Sequence, residues 1–265
     1  MQPLAILIVG DTDRAEFRDA RRELDRWGAV TAVGSIAEAA AVLDDSSYAP
    51  AVIVIAQAYP GEFPAETVER LRRRAPLARL VALLGPWCEG ETRSGRPWPG
   101  GIRVYWHQWP ARAACELARI AGGLFSSWSL PATASEEERC LALSGKPNSS
   151  RGGLVAVISP HPAMQEWIAA ACRRQGFATV AARPQSETSL GVLAAAVFDG
   201  TEARGVELAD LRRWAAAVAP APLIALLDFP RVEDRDRALS AGAAAVLSKP
   251  FVLGDLYWQI EQSLT

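Results

Sequence analysis

Short runs made only of apolar residues recur along this chain, each followed by a stretch with helical spacing. Residues 4–9, 52–55, 80–84, 154–158, 193–198 and 223–227 are of this kind. They are too short for buried helices, and a strand that is apolar at every position must be covered on both faces. Between the runs, apolar residues return at helical intervals, as with Phe17, Ala20, Leu24 and Trp27, or Leu208, Leu211, Ala215 and Val218. Strands alternating with amphipathic helices imply right-handed crossovers and a parallel sheet, which is an α/β architecture.

Boundary signals divide the pattern in two. Asp13 with Glu16, and Ser35 with Glu38, have capping-box spacing, and Gly28 is placed to close the first helix. A strand is predicted over 30–33, helices over 65–74 and 111–124, and a fifth strand over 102–106. From 126 to 152 the composition turns to Ser, Pro, Gly and an acidic cluster, Glu136 to Glu138, which predicts a linker with a short helix over 136–143. The pattern then restarts. Pro162 and Gly176 bracket a helix, strands are predicted over 177–181 and 244–247, and helices over 232–241 and 252–264, the last with Leu253, Leu256, Ile260 and Leu264 facing inward. Two domains are expected, 1–125 and 153–265, each a doubly wound sheet.

The stretch from Arg237 to Phe251 carries a more specific signal. A helical end stops at Gly242, a short apolar strand follows, and Lys249, Pro250 and Phe251 come next. This resembles the last strand of the response-regulator receiver family. Lysine is rare here: of 28 Lys+Arg only Lys146 and Lys249 are lysine, and Lys249 falls where the family has one. The resemblance extends over both halves. It implies two flavodoxin-like five-stranded domains in tandem with strand order 2-1-3-4-5, a cis Lys-Pro bond, and a site at the carboxyl ends of the strands.

In that family two carboxylates after the first strand hold Mg²⁺, an aspartate after the third takes a phosphoryl group, a hydroxyl follows the fourth, and a lysine follows the fifth. Residues 50–61 fit the third-strand pattern of the first domain, down to Pro60-Gly61, but the acceptor position is Ala56. The carboxylate positions are Gly10 and Asp11, Leu84 stands near the hydroxyl position, and Trp109-Pro110 is aligned with Lys-Pro. Asp11 and Asp13 are weak metal candidates, with helix N-terminus carboxylates as their simpler role. In the second domain Asp199 fits the phosphoacceptor and Lys249 the lysine, but Ser159 and Pro160 occupy the metal positions and Leu227 the hydroxyl position, with Asp228 next. Asp199 and Lys249 are expected to form an ion pair in a strand-end cleft.

Residues 85–101 depart most from the family. Three prolines and five glycines among these seventeen residues oppose the helix found there in receivers. Trp87, Trp98, Trp106 and Trp109 gather here and just beyond, with Arg93, Arg96 and Arg103 among them. Tryptophan and arginine are enriched at interface hot spots, so Trp87, Arg93, Arg96, Trp98 and Arg103 are the candidate partner-binding residues. Trp98, between two prolines, is expected to be the exposed anchor, and Trp106 and Trp109 to be core. Cys88, Glu89, Glu91 and His107 offer a further candidate, a metal- or thiol-dependent site.

Composition bounds the rest. A net charge of -2 gives no electrostatic footprint for nucleic acid. No apolar run reaches membrane-span length and no signal-peptide pattern opens the chain, so a cytoplasmic protein is expected. Cys88, Cys115, Cys140 and Cys172 lack CxxC spacing, which argues against zinc or a disulfide framework. Beyond the two patterns no third domain, and so no DNA-binding or enzymatic output module, is expected. The expected function is non-catalytic protein interaction in signalling, independent of phosphorylation and of any cofactor. The alternative is a phosphorelay regulator using Asp199 and Mg²⁺.

Overall fold

The computed structural model describes residues 3–91, 95, 97–131, 133–135, 137–138, 152–186 and 190–262. It divides into two compact units, Met1–Leu143 and Ser144–Thr265.

The first unit is built on β1 (Leu4–Val9), β2 (Gly28–Val33), β3 (Val52–Gln57), β4 (Arg79–Leu84) and β5 (Ile102–Tyr105), with helices α1 (Arg18–Leu24), α2 (Ile36–Leu43), α3 (Ala65–Arg74) and α4 (Trp109–Ala121). All strand pairs are parallel, in the order β2-β1-β3-β4-β5. Every residue of the central strand β3 is buried, as its unbroken apolar run requires. The second unit has β6 (Leu154–Ile158), β7 (Ala178–Ala182), β8 (Ala195–Asp199), β9 (Leu223–Asp228) and β10 (Ala245–Lys249), with α5 (Pro162–Arg174), α6 (Gly205–Val218), α7 (Val232–Ser240) and α8 (Leu253–Gln262). Its order is β10-β9-β8-β6-β7, again all parallel. Both sheets thus have the flavodoxin-like order, in which the chain reverses direction between the first and third strands and leaves a crevice at their carboxyl ends.

Local signals set several boundaries. Ser35 caps α2, accepting from the Glu38 N–H at 3.2 Å, while Glu38 reaches back to the Gly34 N–H at 3.0 Å. Gly242 ends α7 at φ +105°, with its N–H on the Leu239 carbonyl and the Ala243 N–H on the Ala238 carbonyl, a Schellman closure. Lys249-Pro250 is cis.

Other expectations shift. Asp13 and Glu16 form no capping box: α1 begins at Arg18 after Phe17, which has no side-chain cap, and Glu16 pairs with Arg14 at 2.8 Å. Phe17 is fully buried, so core entry decides where this helix starts. Gly28 opens β2 instead of closing the helix.

The segment assigned to the linker begins inside the first unit. Ser127–Ser129 form a 3-10 turn, and Trp128 is buried with its ring 5.9 Å from that of Trp109. The buried Glu116 carboxylate of α4 accepts from Ser126 Oγ at 2.6 Å and the Ser127 N–H at 2.7 Å, tying the segment down. Most of the helix expected over 136–143, together with Cys140 and Leu264, lies outside the described residues.

Candidate functional site

In the second unit four polar side chains meet at the carboxyl edge of the sheet. Asp199 ends β8 and is only 1% exposed. Ile158 pairs with Phe198 across β6 and β8, so the next residues, Ser159 and Asp199, stand side by side. Ser159 Oγ donates to Asp199 Oδ2 at 2.6 Å and is itself held by the His161 N–H at 3.0 Å. Lys249 Nζ donates to Asp199 Oδ1 at 2.7 Å and lies 2.9 Å from Asp228 Oδ1. Asp228 ends β9 and is the register partner of Lys249 on β10. Burial pulls the Lys249 ammonium down, but its hydrogen bonds to Asp199 and Asp228 and their charge outweigh that and hold it above the ordinary lysine range. Asp199 therefore sits in a satisfied network, each carboxylate oxygen accepting a short hydrogen bond. The expected Asp199–Lys249 pair is present. Ser159 and Asp228 were not foreseen as its companions, although the adjacent positions of Ser159 and Asp199 follow from pairing the first and third apolar runs.

Phe229 directly follows this network at φ +44°, a rare backbone state for a side chain of its size, and is 57% exposed.

Strand register identifies the matching point in the first unit. Val9 pairs with Ile55, as Ile158 pairs with Phe198, so Ala56 corresponds to Asp199 and Gly10 to Ser159. Asp199 is in line with Leu226 and Leu247, and Ala56 with Leu83 and Val104. The lysine position, two residues past that line on the fifth strand, is therefore Trp106, as far along the chain from Ala56 as Lys249 is from Asp199. The alignment with Trp109-Pro110 is thereby corrected: those residues open α4, with proline in its first turn. Gly10, at φ +110°, approaches so closely that an added Cβ would lie 2.6 Å from the Ala56 carbonyl oxygen. The backbone at Gly10 and the ring of Phe63, 3.4 Å from that Cβ position, thus leave no room for a side chain beside Ala56.

The residues present do not fit a magnesium ion. Ser159 with Pro160, and Gly10 with Asp11, replace the carboxylate pairs. Asp11 and Asp13 are both exposed, and the Asp13 N–H donates to Asp11 Oδ1 at 3.2 Å, a local turn contact. Among the described residues, no group of three or more His, Cys, Asp or Glu side chains is arranged to hold a metal.

The segment after β4 opens with a 3-10 turn, Pro86–Cys88. Trp98 is not the exposed anchor: it is 8% exposed, its Nε1–H donates to the Phe63 carbonyl at 2.9 Å, and its ring meets Phe63 edge-on. The flanking prolines extend the backbone but do not direct the indole, which drops into the core between β4 and α3. Arg103 is also internal, its Nη2 2.7 Å from Glu91 Oε2, and Glu91 in turn accepts from the buried Gln57 Nε2 at 3.2 Å. Trp106 and Trp109 are core residues as expected, at 4% and 1% exposure. Trp87, 55% exposed, remains on the surface. Arg93 and Arg96 lie outside the described residues.

Cys88 is fully buried, and burial together with the nearby Glu91 carboxylate pushes its thiol up to about 11, away from nucleophilic use. His107 stacks on Tyr105 with ring centroids 6.0 Å apart, and its Nε2 is 3.7 Å from Glu89 Oε1, too far for a hydrogen bond. Burial, aided by the charge of Arg112, drives His107 down to about 3, so it is a neutral imidazole beside a carboxylate. Cys88, Glu89, Glu91 and His107 thus do not form a nucleophile–base or metal-binding set.

No family model matches the chain, and no curated protein matches it. Among solved structures, it is similar to a CheY-like response regulator from Mesorhizobium loti, at 17% identity and a TM-score of 0.36, covering 43% of this chain and 99% of that one. A putative two-component response regulator/GGDEF domain protein aligns at 14% identity and a TM-score of 0.37, over 98% of this chain and 99% of the other. A putative D-3-phosphoglycerate dehydrogenase from Ralstonia solanacearum aligns at 13% identity and a TM-score of 0.27, over 95% and 83% of the two chains. Strand order and register by themselves place both units in the flavodoxin-like fold.

Proposed function

We propose that this chain is a non-catalytic signalling protein of the response-regulator type that acts through protein–protein contacts, independently of phosphorylation. The observation that carries this reading is the closed state of Asp199. One oxygen accepts from Ser159 and the other from Lys249, and the residue is 1% exposed. Phosphoryl transfer to a carboxylate needs a free oxygen aligned with the donor and cations to neutralise the developing charge. The first unit supports the same reading, with Ala56 and Trp106 at the acceptor and lysine positions. A cytoplasmic setting and a protein partner belong to this proposal. No described helix is long and apolar enough to cross a membrane. Among the described residues, Trp87 is the candidate contact residue that is exposed.

A second reading, a regulator phosphorylated on Asp199, is favoured by the Lys249 contact at 2.7 Å. Incubating the full chain with acetyl phosphate and Mg²⁺, followed by intact mass, separates the two. The proposal expects no phosphoryl adduct, and expects Asp199→Asn to leave partner capture unchanged. A labile adduct that maps to Asp199 and disappears in that variant would establish the regulator instead.

A further inference from the structure

The first unit has a cavity of about 310 Å³ at the opposite end of its sheet from Ala56. Arg79 and Ile102, which open β4 and β5, line it together with Leu80, Arg72 from the last turn of α3, and Trp128 and Leu130 from the segment after α4. The size is at the lower end of small-molecule sites, which run from roughly 300 Å³ upward.

Its lining has two characters. Leu80, Ile102, Trp128 and Leu130 supply apolar walls. Arg79 and Arg72 supply charge. Arg79 is partly buried, its Nε donates to Ser129 Oγ at 3.0 Å and its Nη1 reaches the Ala51 carbonyl at 3.4 Å. Both partners are neutral, and no described carboxylate pairs with Arg79. A guanidinium has five N–H donors, so these bonds leave most of them available. Arg72 Nη2 donates to the Pro99 carbonyl at 3.0 Å, and its acidic neighbour is Glu69 at 3.4 Å, which Arg73 shares at 3.8 Å. Arg73 and Arg74 of the same turn do not line the cavity, and Arg74 pairs with Asp44 at 3.0 Å, but the lining holds Arg72 and Arg79 and no acidic side chain. Positive charge is therefore in local excess at a cavity with apolar walls, and guanidinium forks match the geometry of carboxylate and phosphate oxygens.

We propose that this cavity binds a small organic oxyanion, a carboxylate or phosphate monoester carried on one compact apolar body. Arg79 and Arg72 hold the charged end, and Trp128 and Ile102 cover the body. The inference is independent of how Asp199 behaves, since it concerns the other end of the other sheet.

Isothermal titration of the full chain with phenyl phosphate and with benzoate tests it, and the two arms distinguish the phosphate from the carboxylate source. Saturable one-to-one binding of at least one is expected, with inorganic phosphate and benzyl alcohol each weaker by about tenfold or more, because each lacks half of the match. Arg72→Met and Arg79→Met should each weaken binding by about tenfold. Arg79 also anchors the Ser127–Ser129 turn, so Arg72→Met, which leaves that anchor alone, is the decisive variant if Arg79→Met melts early. No saturable binding of either probe would overturn the proposal. So would equal binding of inorganic phosphate, or binding unchanged in Arg72→Met.

Discussion

At the end of β8, Asp199 is buried between a serine hydroxyl and a lysine, whereas at the matching point of β3 Ala56 packs against Gly10, with Trp106 at the lysine position. The same strand order supports both. A parallel sheet with this topology leaves a crevice at its strand ends whatever fills it, and the filling must satisfy local physics: every buried polar group needs a partner, and every apolar gap needs contact. The second unit meets the demand with a closed polar network, whereas the first has Ala56 and Gly10 at the matching positions and satisfies the neighbouring buried Gln57 through Glu91. Strand order is thus a property of the fold, and the site is an addition that can be lost without losing the fold.

Making the first unit resemble the second should cost the most. Ala56→Asp would place a carboxylate at a 1% exposed position with no lysine in register, and a loss of about 4 kcal/mol or more is expected. Urea denaturation followed by far-UV circular dichroism would show it, and a change below about 1 kcal/mol would mean that the strand-end crevice is open to water.

Trp98→Ala should come close to that loss, about 4 kcal/mol, because a buried indole leaves a cavity and the Phe63 carbonyl loses its donor. An unchanged melting temperature would show that the ring is not in the core.

Breaking the network of the second unit should cost less, about 3 kcal/mol for Asp199→Ala. Lys249 loses one partner but keeps Asp228 at 2.9 Å. Adding Asp228→Ala should produce more than additive destabilisation, since the ammonium would then be stranded. Simple additivity in this double-mutant cycle would show that Asp228 does not share the load.

The two units should also differ in acid. His107 titrates at about 3 when folded, below the ordinary histidine range, so under about pH 6.5 the unfolded chain takes up a proton that the folded unit refuses. Its contribution is complete above that range and is lost as the pH falls, by about 2 kcal/mol between about pH 7 and 5. His107→Phe should flatten this slope in equilibrium denaturation. The chain's other histidine, His161, is exposed in the second unit. A slope unchanged in the variant would assign it elsewhere.

Trp87→Ala marks the smallest effect. Stability should stay within about 0.5 kcal/mol, as for an exposed side chain. Partner capture should weaken by about tenfold or more if this tryptophan is the contact residue. Retained capture would move the interface away from the segment after β4.

The sequence alone determined what is set within a few residues. Unbroken apolar runs specified buried parallel strands, helical spacing specified the faces turned to the sheets, Ser35 with Glu38 specified a cap, and Gly242 specified a helix end. Each depends mainly on neighbours in the chain, although the failed Asp13–Glu16 cap shows that burial of Phe17 overrides such a signal. The tertiary structure decided what depends on residues far apart. Ser159 meets Asp199 across forty positions of sequence, Trp106 takes the lysine position only through strand register, and Trp98 turns inward because Phe63 offers both a ring and a carbonyl. Composition marked residues 126–152 as a linker, yet a buried glutamate and a tryptophan pair hold its first residues in the first unit. Loop side chains have no periodicity to reveal which way they point. Their direction is fixed by what the packed elements leave open, and that exists only once the chain has folded.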